Sequence, residues 1–131
     1  MKKFSIFLSR NVSPSTKIKV FELYKNGESL FEQFFDEVEQ AGNLMSNLAA
    51  SIRIIEDTAN LNRRPKSKFR PIEGHKLNCK IYEAKSGVIR VYLFHEERTG
   101  RIIVTGGMKS DQDKDIKGVL KLIKEYIDEN K

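Results

Sequence analysis

The chain has 131 residues, enough for one domain with its own core but not for two. A hydrophobic share of 39% and a charged share of 32% are those of a folded soluble domain and exclude an intrinsically disordered one. A net charge of +6 and a pI near 9.4 point toward polyanions such as nucleic acid or the ribosome; an acidic partner that neutralises the charge is the plainer alternative.

The start, Met1 to Leu8, opens with two lysines and an apolar run that breaks at Ser9-Arg10-Asn11. That run is too short for a signal peptide or a membrane span, so a soluble, cytoplasmic protein is expected. Residues 1–16 read as an N-terminal extension, either an extra edge strand or an ordered arm. Lys17 to Lys25 is β-rich and closes on the turn signal Asn26-Gly27. Ser29 then caps a helix, with Glu32 completing a capping-box pattern. Leu30, Phe31, Phe34, Phe35 and Val38 form one apolar stripe at helical spacing. After the break at Ala41-Gly42-Asn43, Leu44, Leu48, Ala49, Ile52 and Ile55 make a second stripe to about Asn60, predicting a helical hairpin. Asn62 to Pro71 is a basic, proline-bearing connector that either tracks phosphates or is merely solvated.

Three antiparallel strands are expected next, from Leu77 to Ala84, Val88 to His95 and Arg101 to Thr105, the last ending in a turn at Gly106-Gly107. A hairpin through Lys85-Ser86-Gly87 pairs Ala84 with Val88, which sets Tyr82 opposite Arg90 and Lys80 opposite Tyr92. One face then carries Cys79, Ile81, Val91 and Leu93, and the other Lys80, Tyr82, Arg90 and Tyr92. Asp115 to Asn130 closes the chain as a helix with Ile116, Val119, Leu120, Ile123 and Ile127 inward. The whole of 1–131 is thus a single α+β domain, with an N-terminal strand and helical hairpin packed on a small antiparallel sheet, and a C-terminal helix. The helices cover one sheet face and leave the basic, aromatic one free. Cys79 reads as a buried structural thiol, and one cysteine with two histidines gives no metal-ligand spacing. His75, in a loop, and His95, at a strand end, read as surface residues.

In this order the motifs resemble those of the RelE/ParE toxin superfamily, in particular its HigB-like, phage-derived branch. The strand Val20-Phe21-Glu22-Leu23-Tyr24 runs into the Phe- and Glu-rich helix start Ser29-Leu30-Phe31-Glu32-Gln33-Phe34. Pro65 and Phe69-Arg70-Pro71-Ile72 precede a strand bearing a basic residue, Lys80. Ile89-Arg90-Val91-Tyr92-Leu93-Phe94 follows the family's arginine strand, and Gly107-Met108-Lys109 with Gln112 and Lys114 its closing loop. The resemblance spans roughly residues 17 to 126 and departs from the family pattern at Lys80, at Ser110 and in the acidic residues Asp111, Asp113 and Asp115.

The resemblance implies a RelE-like fold and a type II toxin that cuts mRNA on the ribosome without a metal or other cofactor, held silent by a cognate antitoxin. It implies Lys80, Arg90 and Lys109 as the catalytic cations: Arg90 for the phosphate, and Lys80 or Lys109 as a base of depressed pKa. Tyr82 and Tyr92 would stack on bases or donate a proton, and Lys76, Arg63, Arg64 and Lys114 would contact the nucleic acid. Two other classes stand beside it: a ParE-like gyrase poison without catalysis, and a non-enzymatic binding module on the same scaffold. The plainest reading of Lys80, Tyr82, Arg90 and Tyr92 is the wet face of an amphipathic sheet.

Overall fold

A computed structural model describes residues 2–131, so Met1 of the expected N-terminal extension lies outside the described residues. The elements are β1 (Phe4–Leu8), β2 (Val20–Lys25), β3 (Glu28–Ser29), α1 (Leu30–Ala41), α2 (Met45–Ala59), β4 (Phe69–Pro71), β5 (Lys80–Ser86), β6 (Ile89–Glu96), β7 (Gly100–Met108) and α3 (Gln112–Glu129). A single 3₁₀ turn, Lys109–Asp111, joins β7 to α3. The chain is α+β, as expected, but the sheet is neither small nor wholly antiparallel.

Its order is β1-β2-β7-β6-β5-β4, with the two-residue β3 folded back on β2. Asn26 and Gly27 both take positive φ (52° and 82°), the backbone of a two-residue type I′ hairpin, and so fix β3 against β2. All neighbouring strands are antiparallel except β2 and β7, which pair in parallel with Val20 opposite Arg101. The N-terminal extension is an edge strand: Phe4–Leu8 pairs with β2, and Ser9 and Asn11 then bond the buried Glu22 carboxylate. The connector ends in β4, a three-residue edge strand whose Pro71 is tolerated because an edge needs no complete ladder. The third strand runs through Gly106-Gly107 as far as Met108, so the chain turns two residues later than expected.

The hairpin register corrects the expected one. β5 and β6 are joined by the two-residue loop Gly87-Val88, so Ser86 pairs with Ile89, Lys85 with Arg90, Glu83 with Tyr92 and Lys80 with His95. The sum of paired numbers moves from 172 (84 + 88) to 175 (86 + 89), an odd step, and an odd step turns one strand's side chains to the opposite face. Ile81 and Cys79 therefore do not share a face with Val91 and Leu93, and Tyr82 does not share one with Arg90.

Both faces are cores. On one, α1 and α2 cover Val20, Ala84, Ile89, Val91, Leu93 and Ile103 with Phe31, Phe34, Val38, Leu48, Ile54 and Ile55. On the other, α3 covers Leu23, Ile81, Tyr92, Phe94, Ile102 and Val104 with Val119, Ile123 and Tyr126. The sheet is thus the middle of three layers, and the free basic face does not exist: α3 sits on it.

Candidate functional site

The polar chemistry collects at one end of the sheet, where the β5–β6 turn, the end of β7 and the start of α3 meet. Lys85, Arg90 and Gly107 form one row across β5, β6 and β7. The Lys109 amide donates to the Val88 carbonyl at 2.7 Å, bringing a third cation to the same end. Directly opposed side chains on antiparallel strands stand about 5 Å apart at Cβ, so Lys85 and Arg90 are close neighbours. Arg90 is only 7% exposed. Its Nη1 donates to the carbonyls of Gly87 (2.8 Å) and Ile89 (3.0 Å), while its buried Nε has no partner.

One row inward lie Glu83, Tyr92 and Thr105, with Arg70 of β4 opposite Glu83. The Glu83 side chain is fully buried and accepts from Arg70 Nε (2.9 Å) and Nη2 (2.8 Å) on one side and from Gln112 Nε2 on the other. A buried carboxylate needs such donors, and the Arg70 fork supplies charge as well. Tyr92 is completely buried and its hydroxyl has no partner. Burial, followed by the charges of Glu83 and Asp115, pushes its phenol well above the ordinary value of 10, against a smaller opposing pull from Arg90 and Arg70. Asp115 of α3 lies over the Lys85–Arg90–Gly107 row because Gly107 has no side chain; a Cβ there would collide with the carboxylate. Burial and then the nearby Asp111 raise the Asp115 pKa. Gly106 plays the same part on the other face, where the Phe34 ring lies against it.

The expected trio of Lys80, Arg90 and Lys109 is only partly assembled. Arg90 and Lys109 share the site, but Lys80 stands five residues down β5 from Lys85, roughly 17 Å at a strand's rise. It also points to the opposite face, is exposed, and pairs across to His95. Lys85 stands opposite Arg90, where Tyr82 was expected, and Glu83 stands opposite Tyr92, where Lys80 was expected. Tyr92 lies beneath the site and cannot stack on a base; Tyr82 lies on the α2 side, its ring stacked on Phe69 at 4.8 Å. Arg63 and Arg64 are exposed and line a cavity of about 330 Å³ with Tyr82, on that same side. Lys114 is exposed at the α3 start, near Lys109, and Lys76 is exposed in the loop before β5. His75 Nδ1 accepts from the Leu77 amide at 3.2 Å, and His95 Nε2 lies 3.8 Å from Glu97. Cys79 is half-buried, and burial raises its thiol pKa, which keeps it protonated and unreactive.

Sequence reasoning missed Lys85, Glu83, Gln112 and Asp115, and read Arg70 only as one of the connector's cations that track phosphates or are solvated. Arg70 and Glu83 become legible as a pair only once Phe69–Pro71 is recognised as a strand, which three residues with a terminal proline do not announce. What the site offers is a set of cations (Lys85, Arg90, Lys109), Arg90 buried, beside the buried Tyr92 and Glu83 and the half-buried Gln112 and Asp115. Among the described residues no three His, Cys, Asp or Glu side chains are grouped to hold a metal ion, and no helix is long and apolar enough to cross a membrane. Set against protein-family models, curated protein sequences and solved structures, the chain gives no significant match.

Proposed function

We propose that this chain is a type II toxin of the RelE/ParE superfamily, HigB-like branch, that cuts mRNA on the ribosome and is restrained in the cytoplasm by a cognate antitoxin. The observation that carries the reading is the convergence of Lys85, Arg90 and Lys109 on one sheet end. The order of elements, strands and two helices before the meander of β5, β6 and β7 and a last helix, supports it. In the proposed reaction the 2′-hydroxyl attacks the adjacent phosphate, the P–O5′ bond breaks, and the 5′-oxygen takes a proton. Cations of the site stabilise the negative charge that develops on the phosphorane. Lys85 or Lys109 takes the 2′-proton. Lys80 has no part in this chemistry.

The test is primer extension on translated mRNA after a short induction. Arg90→Ala and Lys85→Ala each lower cutting about 100-fold or more, whereas Lys80→Ala cuts like wild type. Cutting that survives Arg90→Ala refutes the assignment of the site, and growth arrest without cuts would redirect the search to gyrase. One observation favours a second reading, a binding module without catalysis: Arg90 already spends Nη1 on two backbone carbonyls and is almost wholly buried. Neither cuts nor arrest is the outcome that reading requires.

A further inference from the structure

On the α2 side of the sheet, away from Arg90, the stacked rings of Phe69 and Tyr82 form one wall of the 330 Å³ cavity, their planes 19° apart. The Arg101 guanidinium lies over both rings, 5.6 Å from the Phe69 centroid and 5.4 Å from that of Tyr82. Its Nη1 donates to Thr58 Oγ1 at 2.8 Å, but its buried Nε has no partner. Arg63 and Arg64 close the rim, with Arg64 Nη1 3.6 Å from Asp57 Oδ2. Three guanidinium groups thus surround one aromatic slot, with a single carboxylate contact at the rim.

A second feature marks the same rim. α2 ends in a Schellman motif: the Asn62 amide donates to the Asp57 carbonyl (2.9 Å) and the Leu61 amide to that of Thr58 (3.0 Å). The residue in the left-handed position of that motif is usually glycine, yet here it is Leu61, at φ +65°. Leu61 is 64% exposed and lines the slot. A strained leucine that buries little of itself has no packing reason to be there, and backbone strain of this kind gathers where a ligand is gripped.

We infer that this slot grips one nucleotide of single-stranded RNA, the base against Leu61, Phe69 and Tyr82 and the phosphates on Arg63, Arg64 and Arg101. The inference rests on the proposed action on RNA and adds a second contact to it. Stacking platforms flanked by cations hold single strands without reading their sequence. The connector supplies the path between the two places. Lys66 and Lys68 are exposed, and the Lys68 carbonyl accepts from the Lys85 amide at 2.7 Å, so the connector passes from the slot to Lys85 around the β4 edge. Tyr82 and Lys85 are three residues apart on β5, about 10 Å along the strand. The slot would thus hold the strand near the phosphate to be cut.

The experiment is fluorescence anisotropy of a labelled, unstructured RNA of mixed sequence, titrated over a range of salt concentrations and run beside the cleavage assay. Tyr82→Ala weakens binding about 5- to 150-fold, the range of a lost base stack. The exposed double variant Arg63→Ala/Arg64→Ala flattens the salt dependence by about 1.4 in logarithmic slope, at roughly 0.7 per single-strand phosphate contact. Leu61→Gly, which removes the strain, melts no lower than wild type and still binds more weakly; this guards against mistaking unfolding for lost contact. The inference is overturned if all three variants bind with wild-type affinity and slope, if the wild type does not bind the RNA, or if an acidic peptide and not RNA takes the slot. Arg90-dependent cutting with unchanged binding in the slot variants would leave the toxin reading standing and remove the slot. Weakened binding in those variants with no cutting by the wild type would do the reverse.

Discussion

Tyr92 is the residue whose chemistry separates a site from a scaffold. Its hydroxyl is buried without a partner, an arrangement that costs about 1–3 kcal/mol in an ordinary core. Tyr92→Phe removes the orphaned group and keeps the ring that packs under α3. The variant should therefore unfold at equal or higher urea concentration than wild type. If the phenol delivers the proton to the 5′-oxygen, the same variant loses about 100-fold or more in mRNA cutting. A protein that is no less stable and cuts far less can only have lost chemistry. One that keeps both stability and cutting excludes Tyr92 as the acid. The phenol's raised pKa keeps it protonated at neutral pH but also makes it a weaker acid than an ordinary tyrosine, so the cutting by Tyr92→Phe decides the role.

Among the elements, the helices were legible and the sheet was legible only in part. α1 follows from its apolar stripe, and α2 from one that is right only in part, since Ala49 of that stripe is exposed and the buried Ile54 lies outside it. The Ser29 cap follows from its position, its hydroxyl accepting from the Glu32 amide at 3.0 Å. The capping box is only half made, because the Glu32 carboxylate accepts from Asn11 Nδ2. Ser29 Oγ also donates to the buried Glu22 at 3.1 Å, so Ser29→Ala loses a cap and strips a donor from a buried carboxylate. The expected loss is about 2 kcal/mol in chemical denaturation; a loss below about 0.5 kcal/mol would mean that the cap is redundant. The hairpin register failed for a local reason. Lys85-Ser86-Gly87 and Gly87-Val88 are both acceptable loops around one glycine, and the difference between them is an odd step in pairing. The sequence did carry a corrective signal. Ile89 to Phe94 is buried at every position, Arg90 included, and a strand apolar on both sides is one covered on both sides. Read that way, β6 already requires a helix on each face. The parallel pairing of β2 with β7, between residues about eighty apart, has no local signature at all.

At the scale of the whole molecule, aromatic contacts tie α3, the third layer, to the sheet. Tyr126 packs edge-on against Phe4 (6.2 Å) and Phe94 (5.7 Å), and its hydroxyl donates to Glu96 at 3.3 Å. Burial, the charge of Glu96 and that hydrogen bond push its phenol up to about 12. Tyr92, on the same face, is raised more by burial and its acidic neighbours. Unfolding returns both to the ordinary value of 10. The native state then holds protons that the unfolded chain releases, so stability is intact below pH 10 and falls as the pH rises toward 12. Each tyrosine contributes a slope of about 1.4 kcal/mol per pH unit within that window, and the pair about 2.7. Denaturation curves taken at intervals from pH 9 to 12 should show this decline, and Tyr126→Phe should remove about half of the slope while leaving the neutral-pH value within about 1 kcal/mol. An alkaline slope unchanged by Tyr126→Phe would mean that α3 lifts from the sheet before its tyrosine ionises, and the third layer would then be a separable one.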